Sequence, residues 1–145
     1  MNTSVQPSDL CQLFYISRSL ATPLAVEQIL ASSRHQNLRR GVTGALLFSG
    51  GHFAQLLEGP ALALRETMAS IDADPRHEAV TRLIEEPIAR RRFNNWNMGF
   101  FEAPGADDLI EQLLANPPIK AERAQRVMET MLAPCQHEDS SSSIR

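Results

Sequence analysis

Reactive and strongly charged features are scarce in this chain. It has only two cysteines, Cys11 and Cys135. They lie far apart, with no Cys-x-x-Cys pair and no histidine at ligand spacing, so neither a disulfide framework nor a thiolate metal site is expected. Two lone thiols suit a reducing compartment, and a cytoplasmic location is expected. No apolar run approaches the length that spans a bilayer, and the first ten residues lack a basic stretch followed by an apolar one, so neither a membrane span nor an export signal is expected. The net charge of −3 comes from interspersed acids and bases, which gives no electrostatic footprint for nucleic acid or an anionic membrane. The one basic run, Arg90 to Arg92, reads as a solvated turn. There is a single tyrosine and a single tryptophan, so the position of each is informative.

What is present suits one compact core. At 145 residues and 43% hydrophobic, a single domain with appended elements is expected, with no output domain attached. Residues 10–17 mix Leu, Cys, Phe, Tyr and Ile as a buried strand does. Thr22 before Pro23 is an N-cap followed by the residue best tolerated at the first helical position, and Leu24, Val26, Ile29 and Leu30 recur at helical spacing, predicting a helix to about residue 37. Gly41-Val42-Thr43-Gly44 closes the turn. Residues 45–48 and 53–57 read as strands joined by the Gly50-Gly51 hairpin signal. Gly59-Pro60 opens a second helix, carrying Leu62, Leu64, Met68 and Ile71, which should stop near Asp74-Pro75.

Residues 80–88 and 96–101 are the remaining strand candidates. The order strand, helix, strand, strand, helix, strand, strand predicts an α+β, ferredoxin-like βαββαββ sheet with two helices on one face. Residues 107–114 and 120–132 read as a C-terminal helical extension, divided by Asn116-Pro117-Pro118. The expected organisation is one domain over 9–103 and a helical cap over 106–133. The ends, 1–8 and 134–145, are expected to be flexible, the latter because its run from Ser140 to Ser143 is too polar to bury anything.

Several side chains exceed what a core requires. Ile29, Ser33 and Asn37 are spaced by four and form one helical stripe, apolar at its start and amide-bearing at its end. Ser70 and Asp74 share a stripe on the second helix, followed by Arg76 and His77. Two helices side by side on a sheet leave a groove, and this one suits a flat heteroaromatic ligand with a polar tail. Tyr15 and Gln55 lie on strands passing beneath it. A primary amide is donor and acceptor at once and exchanges the two by half a turn, while a phenol beside it can donate, accept, or release an electron and a proton together. Each residue alone has an ordinary reading: a core tyrosine with its hydroxyl satisfied, a helix C-terminal asparagine, a helix stop at Asp74-Pro75. Trp96 and Met98, separated by one residue, are expected to share a strand face and in most proteins would simply pack.

In combination, Tyr15-Ile16-Ser17, Ser33-Arg34 with Asn37, Gly41-Val42-Thr43-Gly44, Leu46-Leu47, Phe53-Ala54-Gln55-Leu56-Leu57-Glu58-Gly59, Asp74-Pro75-Arg76-His77, and Arg92-Phe93 followed by Trp96 and Met98 resemble the BLUF domain, the flavin-binding blue-light sensor. The resemblance extends over residues 9–102 in order, and the C-terminal helices resemble the cap of short, single-domain members. It implies non-covalent FAD with its ring between the two helices and no enzymatic turnover. Asn37 would hold the ring's carbonyl and imide edge, Gln55 would contact flavin N5 and O4, and Tyr15 would hydrogen-bond Gln55. Ile29 and Phe53 would line the ring slot, with Ser33 near the glutamine and Asp74, Arg76 and His77 towards the ribityl and phosphate side.

Blue light would then drive electron and proton transfer from Tyr15, and Gln55 would rotate, tautomerise or both, leaving a red-shifted absorption. Trp96 and Met98 would relay the change to the helices after Pro104, and from there to a separate effector protein or a homo-oligomer. Which of the two faces the flavin is left open. Ser70 departs from a basic residue that some relatives carry, so FMN or riboflavin are expected substitutes.

Other classes remain open. A ferredoxin-like small hydrolase needs a glycine-rich phosphate loop at a strand-to-helix turn, which this chain lacks. An RNA reader needs paired aromatics with flanking basic residues. A small-ligand regulatory module without photochemistry would be indifferent to loss of the Tyr15 hydroxyl.

Overall fold

The structure, a computed structural model, describes the backbone of residues 4–141 and side chains as far as Cys135. Five strands and four helices follow in the order β1 (Leu10–Ser19), α1 (Pro23–Arg40), β2 (Thr43–Phe48), β3 (His52–Pro60), α2 (Ala61–Ala73), β4 (His77–Pro87), β5 (Gly99–Glu102), α3 (Asp107–Ala115) and α4 (Ala121–Ser141). The sheet order is β4-β1-β3-β2-β5, antiparallel except for the β2–β5 pair. This is the α+β, ferredoxin-like βαββαββ arrangement that the sequence predicts, with helices added at its end.

The two-residue period of the strands sorts side chains into two cores. Leu13 and Tyr15 of β1, Leu46 of β2, and Phe53 and Leu57 of β3 join Val26, Leu64 and Met68 of α1 and α2 on one face. Phe14, Ile16, Ala45, Leu47, Ala54 and Leu56 face the other way and pack on Ile110, Leu113, Val127 and Met128 of α3 and α4. Register matters for function because β1 and β3 set Tyr15 directly opposite Gln55.

The helix ends follow local chemistry. Thr22 Oγ1 accepts from Ala25 N at 3.1 Å at the start of α1, and Gly41 ends it with φ of 71°, a left-handed conformation that suits glycine. At the start of α2 no side chain caps the helix. Instead Ala61 N and Leu62 N donate to the carbonyls of Asp9 and Pro7, at 2.8 and 3.0 Å.

Several expectations need correction. Leu24 and Leu62 are exposed, at 64% and 44%, because α1 buries only Val26 and Asn37 and α2 turns Leu64 and Met68 inward instead. β4 begins at His77 rather than Val80, and its pairing with β1 shifts register between Ile16 and Arg18. Ala79 adopts φ of 55° there. β5 begins only at Gly99, so Trp96 and Met98 do not share a strand face. Trp96 packs with the α3 and α4 core, whereas Met98 belongs to the α1 and α2 core. The change of side falls between them, at Asn97, and the Trp96 ring lies against Gly99, where a Cβ would meet it at 2.3 Å.

Helix α4 also continues through Pro134, and Cys135 is 1% exposed. The expected break at Pro134 is absent because the next residue has an apolar core to enter. Of the ends expected to be flexible, residues 1–3 and 142–145 lie outside the described residues.

Candidate functional site

Between α1 and α2, over the middle of β1 and β3, lies a cavity of about 360 Å³, within the range of small-molecule sites. Helix α1 contributes Ile29, Ser33 and Asn37, as their spacing of four predicts. The strands contribute Tyr15, Leu46, Phe53 and Gln55, and the end of α2 with the following turn contributes Ile71, Asp74, Arg76 and His77. Every residue that the sequence proposes for cofactor contact therefore lines one cavity. Trp96 does not line it. Met98 reaches it only through Gln55.

The centre of the site is a chain of buried hydrogen bonds. Tyr15 is 4% exposed, and its hydroxyl donates to Gln55 Oε1. Burial raises the Tyr15 phenol well above the ordinary tyrosine range, and the negative charges of Asp74 and Asp72 add to this, so the hydroxyl keeps its proton and acts as donor. In the amide orientation of the structure, Oε1 faces Tyr15 and Nε2 donates to Met98 Sδ at 3.3 Å.

Two α1 side chains hold the same stretch of chain. Asn37 Nδ2 donates to Asn97 O at 2.9 Å, and Arg34 Nε donates to Met98 O at 2.9 Å. Arg34 was visible in the sequence only as part of a motif. Its reach across 64 positions has no local signal.

The turn after α2 forms the mouth. His77 Nε2 lies 2.6 Å from Ile71 O and must donate to it, and Nδ1 pairs with Ser17 Oγ at 2.8 Å. The ring meets Tyr15 edge-on with centroids 6.2 Å apart. Arg76 binds Asp74 through Nε and the terminal nitrogen at 2.9 and 2.7 Å. This guanidinium holds the Asp74 carboxyl below its usual range. Arg40, with a 3.2 Å hydrogen bond to Thr67 Oγ1, and Ser70 also line the mouth; sequence reasoning gave Arg40 no role.

A flat conjugated ring with an imide edge requires apolar walls and amide partners. Ile29, Ile71, Leu46 and Phe53 supply the walls, and Gln55 and Asn37 supply amides, so the lining fits a flavin. No metal-binding cluster of His, Cys, Asp or Glu occurs among the described residues.

Comparison with known proteins agrees with this chemistry. The family model described as "BLUF: Sensors of blue-light using FAD" matches residues 10–99. The blue light- and temperature-regulated antirepressor BluF of Escherichia coli K12 is 36% identical over 77 residues, which are 53% of this chain and 19% of that protein. The photoactivated adenylate cyclase subunit alpha of Euglena gracilis is 32% identical over 117 residues, 78% of this chain and 11% of that one. The chain thus spans less than a fifth of the length of these curated relatives. Among solved structures, the dark state of BlrB, a BLUF protein, superposes with a TM-score of 0.72 at 37% identity, over 89% of this chain and 99% of BlrB. The family model covers more than half of the chain and the BlrB fold is shared along most of it, so the chain belongs to the BLUF family of blue-light sensors using FAD.

Proposed function

We propose that Tyr15 and Gln55 are the switching pair of this photoreceptor. One observation supports the assignment best: the Gln55 amide is engaged at both ends, its oxygen by the Tyr15 hydroxyl and its nitrogen by Met98 Sδ. FAD, held between α1 and α2 by residues such as Asn37 and Gln55, would supply the absorption of blue light and, once excited, an acceptor for an electron. Tyr15 is the residue placed to give up that electron together with its phenolic proton, which already points at Gln55 Oε1. Loss of that donor removes what fixes the amide, and half a turn or an imidic tautomer then puts a donor where an acceptor had been. Return of the electron and proton restores the phenol but leaves Gln55 in its second arrangement until it relaxes.

Ile29 and Phe53 confine the ring, Asn37 engages its polar edge, and Ser33, Asp74, Arg76 and His77 shape the route to the tail. FMN or riboflavin are proposed substitutes, since Ser70 adds no positive charge at the mouth. Trp96 and Met98 stand on opposite sides of the sheet, which suits a relay from the cavity, through Met98, to the core beneath α3 and α4. The sensing unit over 9–103 and the cap over 106–133 then act on a separate effector protein or a further copy of the chain, without turnover of a substrate. No helix among the described residues is long and apolar enough to cross a membrane, and a cytoplasmic setting is proposed.

The test is the visible spectrum of the FAD-loaded protein in darkness and immediately after blue light. An oxidised flavin spectrum that moves to longer wavelength and relaxes in darkness is expected. Tyr15→Phe and Gln55→Leu should retain FAD and abolish the shift. A normal shift in either variant would remove that residue from the switch.

A further inference from the structure

Glu58 is a fully buried carboxylate on β3, at 0% exposure, three residues beyond Gln55, and the switch described above does not use it. Carboxylate oxygens removed from water need donors. Here the donors are main-chain groups 34 and 35 positions away. Arg92 N donates to Oε2 at 2.6 Å and Phe93 N to Oε1 at 2.8 Å. The grip is reciprocal, since Arg91 donates to Glu58 O at 3.0 Å, Thr43 Oγ1 at 2.8 Å and Gly41 O at 2.7 Å.

Beyond Phe93 the chain has no sheet ladder until Gly99, yet it is held repeatedly. Phe93 stacks on Trp96 with centroids 5.6 Å apart, and Trp96 O accepts from Gly44 N at 3.2 Å. Asn97 O and Met98 O are taken by Asn37 and Arg34. Met98 Sδ then accepts from Gln55 Nε2. Strand β3 therefore holds the 92–98 segment at both ends, through Glu58 at the start and Gln55 at the finish.

We propose that Glu58 is a positioning residue for the photoswitch, clasping the backbone at Arg92 and Phe93 so that the 92–98 segment delivers Met98 Sδ to the Gln55 amide. The proposal rests on the reading of Gln55 as the switching group. A carboxylate suits the role because two N–H donors converge on its two oxygens. Glutamine offers one acceptor and turns an NH₂ group towards the other donor.

The test uses FAD-loaded protein: wild type, Glu58→Gln, Met98→Ala and the double variant. In darkness, Glu58→Gln should retain FAD, speed hydrogen exchange at the Arg92 and Phe93 amides, and move the Met98 methyl resonance. After blue light its dark recovery should change by about fivefold, the scale of one lost buried hydrogen bond. In the Met98→Ala background the same substitution should change recovery by less than about twofold, because the coupling runs through that side chain.

An unmoved Met98 resonance, or an equal effect on recovery in both backgrounds, overturns the proposal and leaves Glu58 as a fold-stabilising group. Should Glu58→Gln not fold, Arg91→Ala loosens the same clasp without stranding a buried carboxylate, and the same readings decide. If the wild type shows no light-induced shift, the switch reading fails, and the dark-state exchange and Met98 resonance still decide whether Glu58 sets the position of Met98.

Discussion

Asn37 has two tasks, and its substitution separates them from those of its neighbours. It is 2% exposed, lines the cavity, and donates to Asn97 O. Asn37→Ala removes an amide from the cavity lining and a donor from the 92–98 segment. Flavin affinity is expected to fall about tenfold, equivalent to roughly 1.4 kcal/mol, as read by titrating the apoprotein with FAD and following flavin fluorescence. Unchanged affinity would take Asn37 out of the contact set. The position of Asn37 was legible because helical period alone puts it on the stripe of Ile29 and Ser33. The partnership of Tyr15 with Gln55 depends on strand register, which the sequence suggested through motif spacing and which the β1–β3 pairing supplies. The Trp96 side was not legible, since it depends on where the 92–98 segment travels. That path is set by Glu58, Gly44, Asn37 and Arg34, all distant in sequence.

Among the elements, α3 is attached to the sheet by charges as well as by the buried Ile110 and Leu113. His52, 6% exposed at the start of β3, places Nδ1 2.6 Å from Asp107 Oδ1 and Nε2 2.5 Å from Glu111 Oε2. Arg18 of β1 reaches Glu111 at 2.6 Å, and Ser49 binds Asp107. Both ring nitrogens are thus within hydrogen-bond distance of α3 carboxyl oxygens, so His52 bridges β3 to that helix. Arg18 and then His52 lower the Glu111 carboxyl to about 2, and His52 and Ser49 lower that of Asp107. A carboxyl depressed in the folded state stabilises it above the unfolded pKa and loses that contribution as pH falls through the folded one. The docking of α3 should therefore weaken on acidification from about 4.5, the ordinary Glu value, to about 2. Both groups are solvent-exposed, so screening keeps the effect small. An acid titration of thermal stability should be flatter over that window for Glu111→Gln than for wild type; parallel curves would show that the pair contributes nothing. This attachment was not legible beforehand, because the partners of His52 sit 55 and 59 positions away. The βαββαββ order, by contrast, was readable from short-range signals: Thr22-Pro23, Gly50-Gly51 and Gly59-Pro60.

At the scale of the whole molecule, the sheet separates two cores of different kinds. The α3 and α4 side is closed by continuous apolar packing from Phe14 and Ile16 to Met128 and Leu132. The α1 and α2 side contains the cavity, and α1, although 18 residues long, buries only Val26 and Asn37. Alternation along β3 joins the two, since Gln55 faces the cavity while Ala54 and Leu56 beside it face the helical core. A cofactor in this cavity would supply the packing that α1 lacks, so its loss should be felt unevenly. With free FAD at one hundred times its Kd, binding adds about 2.7 kcal/mol to stability, and stripping FAD should lower Tm accordingly. Hydrogen exchange should rise first along α1 and around the Asp74 to His77 turn, with α4 remaining near its protection in the holoprotein. If α4 exchange rises as much as α1 exchange, the two cores open as one unit, and a signal from Gln55 reaches the cap through global loosening rather than through the 92–98 segment. If only α1 responds, the cap stays docked without the cofactor, and a light-dependent change in α3 or α4 must travel by the bonded route from Gln55 through Met98.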